Sequence, residues 1–166
     1  MLKPNVDLER DREMKLTNFA RTVCLLPIIS MAGFFAPDAM AAEATLELTV
    51  DGISTLEGQI AIVVFADSEG YETSSNPIGR AMVEVYGNTI TAHFDGLESG
   101  PCAIKLFHDV NNNGELDKNL IGMPTEPFGF SNGAVVRFGP PSFEASTFTL
   151  GEGDNRHQIT LASMGG

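Results

Sequence analysis

The chain is predicted to be all-β, a two-sheet antiparallel β-sandwich of about seven strands, with a small β-barrel as the alternative architecture. Three observations predict it. Apolar and polar residues alternate with a period of two in several short stretches. Gly, Asn, Asp, Ser and Pro interrupt those stretches at regular intervals. No segment after residue 41 holds a 3.6-residue apolar period over three turns.

The elements follow in order. Leu46, Leu48 and Val50 alternate with Thr45, Glu47 and Thr49, which gives a first strand with one polar face. Residues 60–65 are continuously apolar and rich in β-branched side chains, as expected of a central strand buried on both faces. Residues 67–79 read as loop. Met82 to Tyr86 alternate as a third strand, Gly87-Asn88 reverses the chain, and residues 89–94 return as the other half of a hairpin. Cys102, Ile104 and Leu106 alternate with Ala103, Lys105 and Phe107 in a fifth strand. Residues 119–142 are too broken by proline and glycine for a long helix. Residues 143–150 and 156–163 read as the last strands. Such short, evenly spaced strands suit an immunoglobulin-like or prealbumin-like sandwich.

Residues 1–41 are expected to lie outside that domain. Residues 22–37 carry no charge and follow Lys15 and Arg21, and Ala39-Met40-Ala41 places small residues at a cleavage site. This is the pattern of a secretory signal peptide. The apolar run is short for a bilayer span and contains Pro27. Met14 is a better start for such a leader than Met1, so residues 1–13 read as an over-extended start. Residues 42–166 then form one domain, periplasmic or extracellular, with no membrane span.

The charge balance narrows the partners. The chain has 22 acids and 10 Lys and Arg, a net charge of −12. Five acids and five bases lie before residue 42, so the remaining domain keeps 17 acids, five bases and the same balance. Nucleic acid is excluded, because neutralising phosphates requires many more cations. Cys24 lies in the leader, which leaves Cys102 with no intramolecular disulfide partner and a place in an apolar alternation.

The segment with the clearest chemistry is 108–117. Asp109, Asn111 and Asn113 place side-chain oxygens at alternate positions, Gly114 allows a sharp turn, Glu115 offers a backbone carbonyl and Asp117 adds a carboxylate. A hard cation needs oxygens converging in this way, so these residues form a candidate Ca²⁺ loop. It is not an EF-hand. Leu120 stands where the bidentate carboxylate belongs, and the flanks are strands. Asn119 and Glu126 are the nearest further oxygens. An Asx-rich turn without metal accounts for the same composition.

Beyond it, Glu126, Phe128, Phe130, Asn132, Arg137 and Phe138 form a candidate ligand or partner surface, with aromatic platforms and a few polar contacts. Pro140-Pro141 fixes the turn that follows. His93, His108 and His157 form no local metal pair. Local signatures of serine hydrolases, phosphate loops, zinc proteases and dinucleotide folds do not occur.

Residues 107–117, 122–132 and 138–144, in that order, resemble the bacterial exported family known as domain of unknown function 2141, over about residues 46–163. The resemblance implies an exported β protein and carries over no catalytic residue. It also implies that the oxygen-rich and aromatic-rich loops form one unit. The expected function is a non-enzymatic binding or structural domain whose loop presents an aromatic patch to a protein or an envelope glycan. The alternative is a metal-assisted hydrolase using His108, Asp109 and Glu126.

Overall fold

A computed structural model describes residues 43–164. The signal peptide expected at residues 1–41 therefore lies outside the described residues. The fold is two sheets packed face to face, consistent with an all-β sandwich.

The first sheet has the order β4-β1-β8. Its centre is β1 (Glu43–Asp51), flanked by β4 (Ile90–Glu98) and β8 (Gly153–Thr160). The period-two pattern of β1 sends Ala44, Leu46, Leu48 and Val50 to the inner face, each at most 1% exposed. The second sheet runs β3-β2-β5-β6, from β3 (Gly79–Glu84) through β2 (Gln59–Phe65) and β5 (Gly100–Asp109) to β6 (Phe128–Phe130). The short β7 (Phe148–Leu150) pairs with the start of β5. Ile60, Ile62 and Val64 of β2, with Cys102, Ile104 and Leu106 of β5, meet the first sheet in a single inner core.

β2 is buried on both faces because its outer side is also covered. There Phe65, Tyr71, Ala103 and Phe143 form a second, smaller cluster. Tyr71 sits on α1 (Ser68–Thr73) and Phe143 on α2 (Phe143–Ser146). Their rings meet edge to face at 5.8 Å, and Tyr71 Oη lies 2.8 Å from Ser146 Oγ.

Four expectations are corrected. Residues 67–79 contain a helix, because the Asp67 carboxylate accepts the Gly70 amide at 2.7 Å and starts a turn. Residues 143–150 are not one strand. Ser142 caps a single helical turn at 143–146, and the strand is only 148–150. The hairpin across Gly87-Asn88 does not form either. β3 pairs with β2 and β4 with β1, so the reversal carries the chain from one sheet to the other. Asn88 ties that crossing down by donating Nδ2–H to the Ile53 carbonyl at 2.9 Å. Finally, β1 and β8 run parallel, since the whole chain separates them and no tight turn dictates their sense.

Past β8, Ala162 exchanges two backbone hydrogen bonds with Phe128, at 2.8 and 2.9 Å, and joins the edges of the two sheets. Cys102 is 1% exposed and burial pushes its thiol up to about 12, so it is a core side chain rather than a nucleophile.

Gly58 shows how tightly the end of β5 is held. It has φ +76°, and an added Cβ would lie 2.1 Å from the Asp109 carbonyl oxygen. Gly96 has φ +66° with open space around it. Gly96→Ala is expected to cost about 1 kcal/mol, from backbone strain alone. Gly58→Ala is expected to cost more than about 3 kcal/mol in urea unfolding, because backbone must move. Equal costs would show that the close packing against Asp109 does not hold.

Candidate functional site

The oxygen-rich segment folds as predicted into a curled turn, and its side chains do converge. What they bind is each other and the backbone. The Asp109 side chain, fully buried at the end of β5, accepts Asn113 N–H and Gly114 N–H at 2.9 Å each and Gln59 Nε2–H at 3.1 Å. Asn111 Oδ1 accepts Asn113 N–H at 3.0 Å, and Asn113 Oδ1 accepts Glu115 N–H at 2.8 Å. The side-chain amides of Asn111 and Asn113 both donate to the Asp117 carboxylate, at 2.7 and 3.1 Å. Asn112 takes the left-handed region at φ 58° and Gly114 at φ 80°. Among the described residues no three His, Cys, Asp or Glu side chains are grouped as a metal would need.

Glu126 closes the segment from its far end. Oε1 accepts Val110 N–H at 2.9 Å and Oε2 accepts Asp117 N–H at 3.0 Å. Asn119 does the same for the next turn, accepting Ile121 N–H at 3.1 Å and Met123 N–H at 3.0 Å. Side-chain oxygens therefore satisfy amides that a β ladder would otherwise satisfy.

Burial pushes the Asp109 carboxyl up, but the bonds from Gln59, Gly114, Asn113 and Asn112 outweigh it and hold the group below its ordinary value. His108 is on the other face of β5, fully buried in line with Leu106. Its Nε2 lies 2.7 Å from the Glu57 carbonyl, so Nε2 carries the proton, and Nδ1 has no hydrogen-bond partner. Thus His108 points between the sheets, while Asp109 and Glu126 serve the loop.

This turn positions a groove. The segment from 110 to 127 leaves β5, curls, and lays Leu116, Ile121 and Met123 beside the outer face of the second sheet. Val63 of β2, Phe107 of β5, and Phe128 and Phe130 of β6 form the floor. Val136 and Phe138 also line it. The groove encloses about 630 Å³, within the range of small-molecule sites.

Of the aromatic-loop residues singled out in the sequence, Phe128, Phe130, Arg137 and Phe138 line the groove. Phe138 is wholly exposed, and Phe128 and Phe130 stack edge to face at 5.8 Å. Asn132 is elsewhere. It sits in the left-handed region at φ 57° and donates Nδ2–H to the Ala145 carbonyl at 3.1 Å, a structural link to α2. Its amide faces His157 Nε2 at 3.4 Å, and His157, stacked on Phe148 at 4.0 Å, has its pKa lowered by burial.

Sequence reasoning missed the sheet's contribution, above all Lys105. Its Nζ donates to the Tyr71 carbonyl and lies 4.0 Å from the Tyr71 ring centroid. Burial lowers its pKa, against a raising effect of Glu72. The available signal was the doubly buried pattern of β2, which implies a populated outer face.

A family model described as uncharacterised protein conserved in bacteria, domain of unknown function 2141, matches residues 48–158. The chain belongs to this family. The matched range takes in parts of both sheets, the oxygen-rich turn and most of the groove. Comparison with curated proteins and with solved structures gave no match.

Asp109 makes the pH dependence predictable. A carboxyl whose folded pKa is depressed stabilises the fold above its unfolded value, about 3.9, and that contribution is lost as pH falls through the lower folded value. Asp109→Asn is expected to lower Tm by about 5 °C at pH 7. The gap to the native protein is expected to narrow steadily below pH 4. A gap independent of pH in thermal denaturation would contradict the assignment.

Proposed function

We propose that this is an exported, non-catalytic binding domain whose ligand seats in the groove between the outer face of the second sheet and the 110–140 segment. The observation that carries the reading is the groove itself. Apolar and aromatic side chains line it, and part of that lining comes from a segment tied at its base by Asp109 and Glu126. Exposed apolar surface gathered around one concavity is a mark of a binding site. Export is supported by the apolar run at 22–37 behind Lys15 and Arg21. The apolar part of a ligand would be held over Phe128, Phe130 and Phe138. The hydrolase reading has no comparable support, because His108 faces away from Asp109 and both carboxylates are committed to loop amides.

Weak calcium binding at the turn is the second reading. It is supported by the gathering of Asp109, Asn111, Asn113 and Asp117 around one turn, where each amide oxygen of Asn111 and Asn113 has a lone pair left after accepting its one hydrogen bond.

One set of NMR spectra tests both. With a library of small apolar and aromatic fragments, shifts are expected to concentrate on Val63, Phe107, Met123 and Phe128. Shifts confined to the first sheet, or no shifts, would remove the groove as ligand seat. With millimolar calcium, selective shifts of Asn111, Asn113 and Asp117 support the second reading, and unchanged positions remove it.

A further inference from the structure

The groove's charge is opposite to that of the domain around it. From residue 42 onward there are five Lys and Arg, and four of them, Arg80, Lys105, Lys118 and Arg137, line this groove. Seventeen acids share the same stretch of chain, and none of them lines it. Random placement of so few cations among so many acids would not empty one concavity of carboxylates and fill it with bases. The depression on the outside of the first sheet shows the contrast, being lined by Glu47, Asp95 and Asp154 with the fifth cation, Arg156. Arg156 is paired with Glu47 at 3.2 Å. Among the described residues the four groove cations have no carboxylate within 4.0 Å. Glu72, whose field reaches Lys105, lies outside the groove lining.

Cations collected over an apolar floor recognise a particular chemistry. A purely apolar ligand leaves the charges unused and partly desolvated. A glycan needs neutral amides and carboxylates for its hydroxyls, and the lining holds no Asn, Gln, Asp or Glu, Ser74 being the one hydroxyl. A free small anion leaves the apolar floor uncovered. What uses both is a molecule with an apolar chain and an anionic head. Resting on the binding reading above, we propose that the groove holds a single-chain anionic amphiphile such as a fatty carboxylate or an alkyl phosphate. Its chain lies over Val63, Phe107 and Phe128 and its head is held among Arg80, Lys105, Lys118 and Arg137. A concavity of one sign in a protein of the other also concentrates such anions locally, where the net charge of −12 repels them elsewhere.

Calorimetry on the purified protein tests this with four probes below their micellar concentrations: decanoate, decyl phosphate, decanol and decyltrimethylammonium. The two anions are expected to bind at least about tenfold more tightly than decanol, and the cation more weakly still. Arg80, Lys118 and Arg137 are all exposed, so a triple change of each to Gln spares the fold. It is expected to weaken decanoate about tenfold and leave decanol unchanged. Acetate serves as the control for a bare anion, and acetate binding as tightly as decanoate would overturn the role of the chain. Equal binding of decanoate and decanol would overturn the anionic head while leaving the groove as a ligand seat. No binding by any ten-carbon probe, with fragments still shifting groove resonances, would overturn the amphiphile alone. If fragments also miss the groove, the binding reading falls with it.

Discussion

Two carboxylates hold the rest of the site in place. Between β5 and β6 the chain leaves the sheet for eighteen residues, 110–127, and its amides lose the ladder partners they would otherwise have. Asp109 takes up the amides of Asn113 and Gly114, and Glu126 those of Val110 and Asp117. These amides are exposed or half-buried, where a hydrogen bond nets about 1 kcal/mol, and four made together favour one shape of the segment over the many it would otherwise sample. Asp109 is itself fixed by Gln59 across the strand pair and by the close approach of Gly58. The turn is therefore an extension of the β2–β5 ladder, and Leu116, Ile121 and Met123 inherit their positions from it.

The same constraint explains why the groove stays open. A segment of this length, carrying Leu120 and Ile121, would gain by collapsing onto Phe107 and Phe128. The two carboxylates instead tie the base of the segment through the amides of Val110, Asn113, Gly114 and Asp117. Leu120 and Ile121 remain largely exposed, as does Phe138 on the opposite rim. The second outer-face cluster, under α1 and α2, shows the alternative on the same sheet. There Tyr71 and Phe143 pack over Phe65 and Ala103, and the cluster continues through Val63 and Phe130 into the groove.

Much of this was legible in the residues, and the failures have physical causes. β1, β2 and β5 were readable because alternation or continuous β-branched burial is set by one strand and its neighbours. Burial of Cys102 followed from the same alternation. The false hairpin at 82–94 came from a genuine turn signal, Gly87-Asn88, whose local geometry cannot say whether the next strand returns to the same sheet. The helical turn at 143–146 depends on a single cap at Ser142, and a four-residue element has no period to detect. Within the site, the spacing of Asp109, Asn111, Asn113 and Asp117 correctly announced convergence. The spacing is the same whether the oxygens face a cation or backbone amides, and it could not tell one from the other. The groove was half legible. Phe128, Phe130, Arg137 and Phe138 are near one another in the chain, whereas Val63, Arg80, Lys105 and Phe107 join them only through sheet register.

The segregation of charge is not explained by ion pairing. Lys105 is half-buried over two aromatic rings, a placement that lowers its pKa, and its partner there is a carbonyl rather than a carboxylate. Arg80, Lys118 and Arg137 face the same space without an ion pair, in a domain with carboxylates to spare. An acidic domain optimised only for folding would spread its few cations among its acids, where each relieves repulsion. Here one of five does so, Arg156 beside Glu47, and that pair is at the opposite sheet. Exposed apolar side chains and cations without ion pairs meet in one concavity. The proposed amphiphile would meet both at once, its chain covering the floor and its head neutralising the rim.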